Sequence, residues 1–196
     1  QNPIVQENIE KLKKSGYIVM ESGEGELACK TTGKGRLPDV PEILEEITRL
    51  LVPKDFDGVK VLITAGPTEE PLDPVRFITN LSSGKMGYAL ASAAHRRGAK
   101  ITLISGPTSI PAPPVEKLIH VRTARDMHKA VVQNYKNAKI IIKAAAVADY
   151  RPKTTAEEKI KKSGKNISLE LERNPDIIAE IGKNKGNRIL VGFAME

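Results

Sequence analysis

Residues 59–87, VKVLITAGPTEEPLDPVRFITNLSSGKMG, decide how this chain folds. Their first six residues are β-branched and largely apolar, the composition of a parallel strand buried on both faces. A connection of about twenty residues follows, where two to six is usual, and long connections at the ligand end of a sheet tend to be functional. Gly84 then opens a helix of small residues to 97, closed by Gly98. Beyond it the pattern alternates: strand 100–104, strand 118–121, a helix from Thr123 to 137, strand 139–144, a helix to Lys183 and strand 188–194. Thr123 with Asp126 reads as a capping box, and Asn174 with Pro175 as an N-cap followed by proline at the first helical position. Strands alternating with helices predict an α/β fold, a Rossmann-like parallel sheet with helices on both faces and strand order 3-2-1-4-5. In that order the winding reverses between the first and fourth strands, and ligands bind outside their carboxyl ends. Those ends carry AGPT (65–68) and AAAVAD (144–149).

The residues before this sheet read differently. Residues 3–14 predict a helix stopped by Gly16, residues 17–20 a strand, 25–39 (GELACKTTGKGRLPD) a glycine-rich loop, and 41–51 a helix with Asp39 near its start. One strand and two helices close no core of their own, so 1–52 reads as the end of a larger domain or an arm packed on a partner. Residues 53–58 then form a linker to the α/β domain over 59–196.

Bulk properties narrow the function. A net charge of +7 calls for anionic partners, while three Phe, four Tyr and no Trp leave few platforms for stacking single-stranded bases. A small anionic substrate fits better than nucleic acid. No apolar run approaches the ~18 residues of a membrane span. The polar start is no signal peptide, and a single cysteine fits a reducing cytoplasm. The first residue is Gln, as in a processed or cut chain.

Within the long connection, Ser82-Ser83-Gly84-Lys85-Met86-Gly87 opens a helix whose free amides and dipole favour a phosphate. An ordinary serine cap with glycines for close packing would read the same way, and neither GxGxxG nor GxxxxGK[ST] is matched. Arg76 and Asn80 suit a carboxylate, phosphate or amide, or a solvated surface. Asp149 suits a hydroxyl, an amide or a metal ion, or a turn. The lysine-rich stretch 157–165 offers charge for phosphates, or a solvated face. Cys29 lies among basic residues, a setting that suits a reactive thiol, or is an incidental cysteine. His95, His120 and His128 show no ligand spacing, and the metal ligands are unknown.

ITAGPTEEPLDPVRFITNLSSGKMG, AAAVADYRPK, EKIKK, NPDI and VGFA, in this order over 59–196, resemble the motifs of the phosphopantothenate–cysteine ligase family. Residues 1–52 resemble the tail of the flavoprotein phosphopantothenoylcysteine decarboxylase, fused before the ligase in a bifunctional enzyme. The resemblance implies coenzyme A biosynthesis, with 4′-phosphopantothenate attacking CTP in the presence of Mg2+. The acyl-cytidylate so formed is then taken by L-cysteine. It implies Asn80 and Lys159 as catalytic, and Arg76, Ala145, Ala146 and Asp149 as substrate-binding. It implies Gly66, Ser82, Gly84, Gly87, Ala144, Asp149, Lys159, Pro175, Asp176, Ile177, Ile178 and Phe193 as nucleotide-binding. Cys29 matches the decarboxylase proton donor, although the family reads ACGD where this chain has Ala28-Cys29-Lys30-Thr31, and FMN belongs to the body of that domain. The family continues beyond VGFA, so the chain reads as cut short, and some relatives use ATP. A homodimer is expected, with Arg76 reaching the neighbour's substrate. A nicotinamide oxidoreductase would share the sheet but needs GxGxxG after the first strand; an anion- or nucleic-acid-binding module is the other alternative.

Overall fold

The computed structural model describes residues 2–26, 30–162 and 166–193, which fall into two compact units, 1–51 and 52–196. The first unit holds α1 (Pro3–Lys14), β1 (Gly23–Glu26), β2 (Thr32–Arg36) and α2 (Val40–Leu51). The Asn2 side chain accepts from the Ile4 amide at 2.9 Å, Pro3 takes the first turn, and Gly16 at φ +89° ends α1. Residues 17–22 form no strand. The expected glycine-rich loop supplies an antiparallel hairpin instead, β1 pairing with β2. Asp39 contributes its carbonyl to the amides of Glu42 and Ile43, and its carboxylate bonds Arg36 at 3.2 Å.

The second unit holds β3 (Lys60–Ala65), β4 (Glu69–Pro71), β5 (Phe77–Thr79), α3 (Lys85–Arg96), β6 (Lys100–Ser105), β7 (Lys117–His120), α4 (Ala124–Asn134), a 3-10 turn (Tyr135–Asn137), β8 (Ile140–Lys143), β9 (Tyr150–Pro152), β10 (Leu171–Arg173), α5 (Ile177–Lys183) and β11 (Ile189–Gly192). The main sheet runs β11-β8-β3-β6-β7 and is parallel throughout, which is the expected 3-2-1-4-5 order. Alternation along β3 sorts its side chains. Val61, Ile63 and Ala65 pack with Tyr88 and Ala91 of α3, whereas Leu62 packs with Met127 and Val131 of α4 and Ile177 and Ile181 of α5. Helices therefore cover both faces, as buried parallel strands require.

Local signals were kept or displaced for identifiable reasons. The Thr123–Asp126 capping box is formed in both directions. The helix it opens gives way to the 3-10 turn after Asn134. The next helix is capped by Asp176, whose carboxylate accepts from the Ala179 amide at 3.0 Å. Asn174 is displaced from the expected cap because its amide donates to the Ala148 carbonyl at 2.8 Å and accepts from Arg151 at 2.8 Å. Residues 54–57 are tied to the second unit: the Phe56 amide bonds the Arg97 carbonyl at 2.9 Å, and Lys54 bonds the Arg96 carbonyl at 2.6 Å. Among the described residues no helix is long and apolar enough to cross a membrane.

Candidate functional site

Three strings meet at the carboxyl edge of the sheet. β3 runs out into Gly66, whose φ of +74° strains any side chain, and where a Cβ would lie 3.1 Å from the Gly106 carbonyl oxygen. The string after β8 is stitched to it. The amides of Ala144 and Ala146 donate to the carbonyls of Thr64 (3.2 Å) and Gly66 (2.9 Å). The buried hydroxyls of Thr64 and Thr68 accept from the amides of Ala145 (3.2 Å) and Ala148 (3.0 Å). Threonine therefore satisfies amides that the ending strands would leave unpaired.

The long connection folds back as the hairpin β4–β5. Its first strand sends the buried Glu70 carboxylate to the Ala124 amide at 2.9 Å, capping α4. Its second strand delivers Asn80, whose amide donates to the Ala146 carbonyl at 3.3 Å. Asn80, Ala145 and Ala146 are thus brought together.

α3 begins beside them with Gly84 as N-cap at φ +76° and no side-chain cap. Ser82 and Ser83 Oγ accept from the amides of Gly84 and Lys85 only at 3.4 and 3.5 Å, long for such bonds. This helix end can accept an anion. Gly87 serves packing. A Cβ there would fall 2.4 Å from Ala65 Cβ, so its absence lets α3 lie against β3. The close-packing reading holds for Gly87, and its expected phosphate contact is not needed to explain it.

Beyond β8 a cavity of about 410 Å3 is lined by residues including Lys143, Asp149, Tyr150, Arg173, Pro175, Asp176 and Ile178. Four of these, Asp149, Pro175, Asp176 and Ile178, were expected at a nucleotide. Ile177 was expected there too, but it is 2% exposed and packs in the core with α4, because consecutive helical positions face different ways. Phe193 is exposed and does not line the cavity. Lys143, Tyr150 and Arg173 were not singled out from sequence. A lysine closing the apolar run IIIK was the available signal, and Arg173 sits 6.0 Å over the Tyr150 ring.

Arg76 reaches the main chain of Ile160, the residue after Lys159. Arg76 donates to the Ile160 carbonyl at 2.8 Å and, through Nε, to Asp73 at 2.9 Å. Hydrogen bonds from Arg76, together with the Val75 and Ile160 amides, hold the Asp73 carboxyl well below the usual carboxylate range. Arg76 is therefore engaged within its own chain, while Lys159 stays exposed. Cys29 lies outside the described residues.

Among the described residues no three His, Cys, Asp or Glu side chains cluster as a metal site. His128 instead pairs with Glu180 at 2.7 Å. Among the described residues of 1–51 neither helix has a buried residue. Lysines 60, 100 and 117 line a further cavity of about 390 Å3 at the amino edge, away from the strand ends where such sheets bind ligands.

Residues 56–196 match the family model described as DNA/pantothenate metabolism flavoprotein C-terminal domain, and residues 1–52 match the Flavoprotein model. The Coenzyme A biosynthesis bifunctional protein CoaBC of Bacillus subtilis (strain 168) is 47% identical over 100% of this chain and 49% of that protein. The chain thus spans about half the length of such curated relatives. The crystal structure of the C-terminal domain of a CoaBC protein is 47% identical, with a TM-score of 0.65 over 73% of this chain and 67% of that one. A DNA/pantothenate metabolism flavoprotein from Streptococcus pneumoniae, 22% identical, shares the fold with a TM-score of 0.61 over 68% of each chain. These matches correct the assignment to a ligase family. Both family models are flavoprotein models, the decarboxylase side of the resemblance, and none of these descriptions names a ligase, CTP or magnesium.

Proposed function

From the membership of this chain in the DNA/pantothenate metabolism flavoprotein C-terminal domain family, we propose that it serves coenzyme A biosynthesis as part of a cytoplasmic enzyme. Its carboxyl-edge site binds a 4′-phosphopantothenate-bearing substrate together with CTP. The observation that carries this reading is the meeting of Asn80 with the Ala146 carbonyl, which joins the long connection to the string after β8. A phosphate would sit at the uncapped start of α3, and the nucleotide in the cavity with Asp149, Arg173 and Ile178.

The chemistry this arrangement suits is activation of a carboxylate by the nucleotide. The substrate carboxylate attacks the α-phosphorus of CTP, pyrophosphate leaves, and the amine of cysteine then displaces CMP to form the amide. Lysines 159, 161 and 162 would stabilise the departing charge, and Asn80 would orient the acyl intermediate. Membership among flavoproteins favours a second activity for the longer parent, loss of CO2 from 4′-phosphopantothenoylcysteine with FMN, in which Cys29 would give a proton. The exposed Val75, Phe77 and Leu81 on and beside the hairpin support a homodimer, which light scattering tests directly.

The decisive experiment melts the chain with CTP, ATP, NAD and a short oligonucleotide, then follows pyrophosphate and CO2 separately. A melting shift with CTP and pyrophosphate release that needs 4′-phosphopantothenate are expected. A shift with NAD alone would overturn the reading. CO2 release without any use of CTP would restrict the chain to the second activity.

A further inference from the structure

The lysine-rich segment is fastened to the hairpin by its backbone. Thr155 Oγ1 donates to the Pro71 carbonyl at 3.2 Å, and the Ala156 amide to the Leu72 carbonyl at 2.9 Å. Four residues on, both main-chain polar groups of Ile160 are taken. Its amide donates to Asp73 Oδ2 at 3.1 Å, and its carbonyl accepts from Arg76 at 2.8 Å. Asp73 is the centre of this grip. Its side chain is 0% exposed, and its other oxygen accepts from the amides of Val75 (2.9 Å) and Arg76 (2.8 Å). One buried carboxylate therefore shapes the turn, orients Arg76 and anchors a segment 87 residues away.

The grip uses no lysine head group. Lys159, Lys161 and Lys162 are exposed, and no ion pair among the described residues holds them. A solvated lysine run without such anchoring would sample many backbone positions, and its charge would be smeared out. Fixing Ile160 sets the root of each neighbouring lysine while leaving the side chains free to follow a phosphate.

We propose that Asp73 is a positioning residue that holds the 155–160 segment in register on the hairpin, so that Lys159 and its neighbours meet the phosphates from a fixed backbone. Its functional half rests on the phosphate-binding reading given above; its structural half does not.

The test uses the full chain, with Asp73→Asn and, should that variant fold poorly, Thr155→Val, which removes only the outermost bond. Limited trypsin digestion is followed by mass spectrometry, with cleavage after Lys100 as internal control. Cleavage after Lys159, Lys161 and Lys162 is expected to accelerate by about tenfold or more in Asp73→Asn and less in Thr155→Val, because proteolysis tracks local opening. Unchanged cleavage overturns the proposal. Pyrophosphate release from CTP is then measured, where kcat is expected to fall about tenfold while KM for CTP stays within about twofold, as when an interaction made only in the transition state is removed. Faster cleavage with unaltered kcat would overturn the positioning role and leave the phosphate site intact. A wild-type chain that ignores CTP would instead sink the nucleotide reading, and cleavage alone would decide the grip.

Discussion

Leu44, Ile47 and Leu50 of α2 and Ile4 and Leu12 of α1 are as apolar as Val61, Leu62, Ile63 and Ile101, yet their environments differ. The first group is 42–67% exposed, and the second at most 2%. Both units obey local rules: α1 has an asparagine cap, a proline in its first turn and a glycine stop, as good a set of signals as any helix of the second unit. What separates them is nonlocal. Five parallel strands bring Leu62, Ile104 and Ile141 side by side under α4 and α5, whereas the hairpin β1–β2 is built of Gly, Glu, Thr, Lys and Arg and offers no apolar face. Helical periodicity makes a stripe; only a partner with a matching apolar face turns it into a core, and in the second unit that partner is the sheet.

Cutting side chains from the two stripes breaks the comparison most sharply. Leu62→Ala should cost about 2–5 kcal/mol, and Leu44→Ala should stay within about 0.5 kcal/mol, both read from urea unfolding of the full chain. Equal losses would mean that α2 is buried in solution. Gly87→Ala comes next. The new methyl meets Ala65 Cβ and forces α3 away from β3, for about 1–3 kcal/mol of overpacking, whereas Gly16→Ala has open space around its Cβ and only its positive φ to strain.

Thr123→Ala should cost about 1 kcal/mol through loss of the α4 cap. Its pH dependence has a definite sign. Burial pushes the Asp126 carboxyl up, but hydrogen bonds from the Thr123 hydroxyl and amide outweigh it and leave the pKa lowered. A carboxyl with a lowered folded pKa adds stability above its unfolded value, near 4, and loses it as pH falls through the folded value. The gap between wild type and Thr123→Ala should therefore narrow below about pH 4 and stay constant above it. A gap that widens in acid would remove Asp126 from the cap.

Sheet order, capping box and the convergence of 65–68 with 144–149 were legible because each rests on local chemistry or on a strong topological rule. The hairpin β4–β5 was not: strands of three residues carry too short an alternation to distinguish from a loop. In Asn174-Pro175-Asp176 two cap residues compete, and the choice is made by Arg151 and the Ala148 carbonyl, both distant in sequence. Lys143 reads as one charge in an apolar run, and only the cavity beyond β8 gives it a setting. Arg76 read either as an anion-binding guanidinium or as a solvated one, and its ties were hidden because neither the burial of Asp73 nor the approach of Ile160 is visible in sequence. The family assignment erred in kind, since motif resemblance placed the second unit with ligases where the matched models are flavoproteins.

The smallest effect concerns the border between the two units. Residues 53–58 read as a polar linker, yet the Arg97 guanidinium lies 3.9 Å over the Phe56 ring and its Nε donates to Asp55 at 2.7 Å. The Asp55–Arg97 pair is exposed on both sides, so salt screens it, but the ring contact and the Phe56 amide bond to the Arg97 carbonyl persist. Arg97→Ala should leave the unfolding midpoint nearly unchanged while speeding chymotrypsin cleavage after Phe56 severalfold, since only the local opening of this turn is eased. Arg97→Lys should fall between the two, because an ammonium keeps the charge and loses the planar stacking. High salt should move wild type only part of the way toward Arg97→Ala. If salt alone reproduced the full effect, the ion pair would be the whole attachment; if Arg97→Ala cleaved like wild type, the turn would be held by its backbone bonds and the second unit would begin at Val52 without help from this arginine.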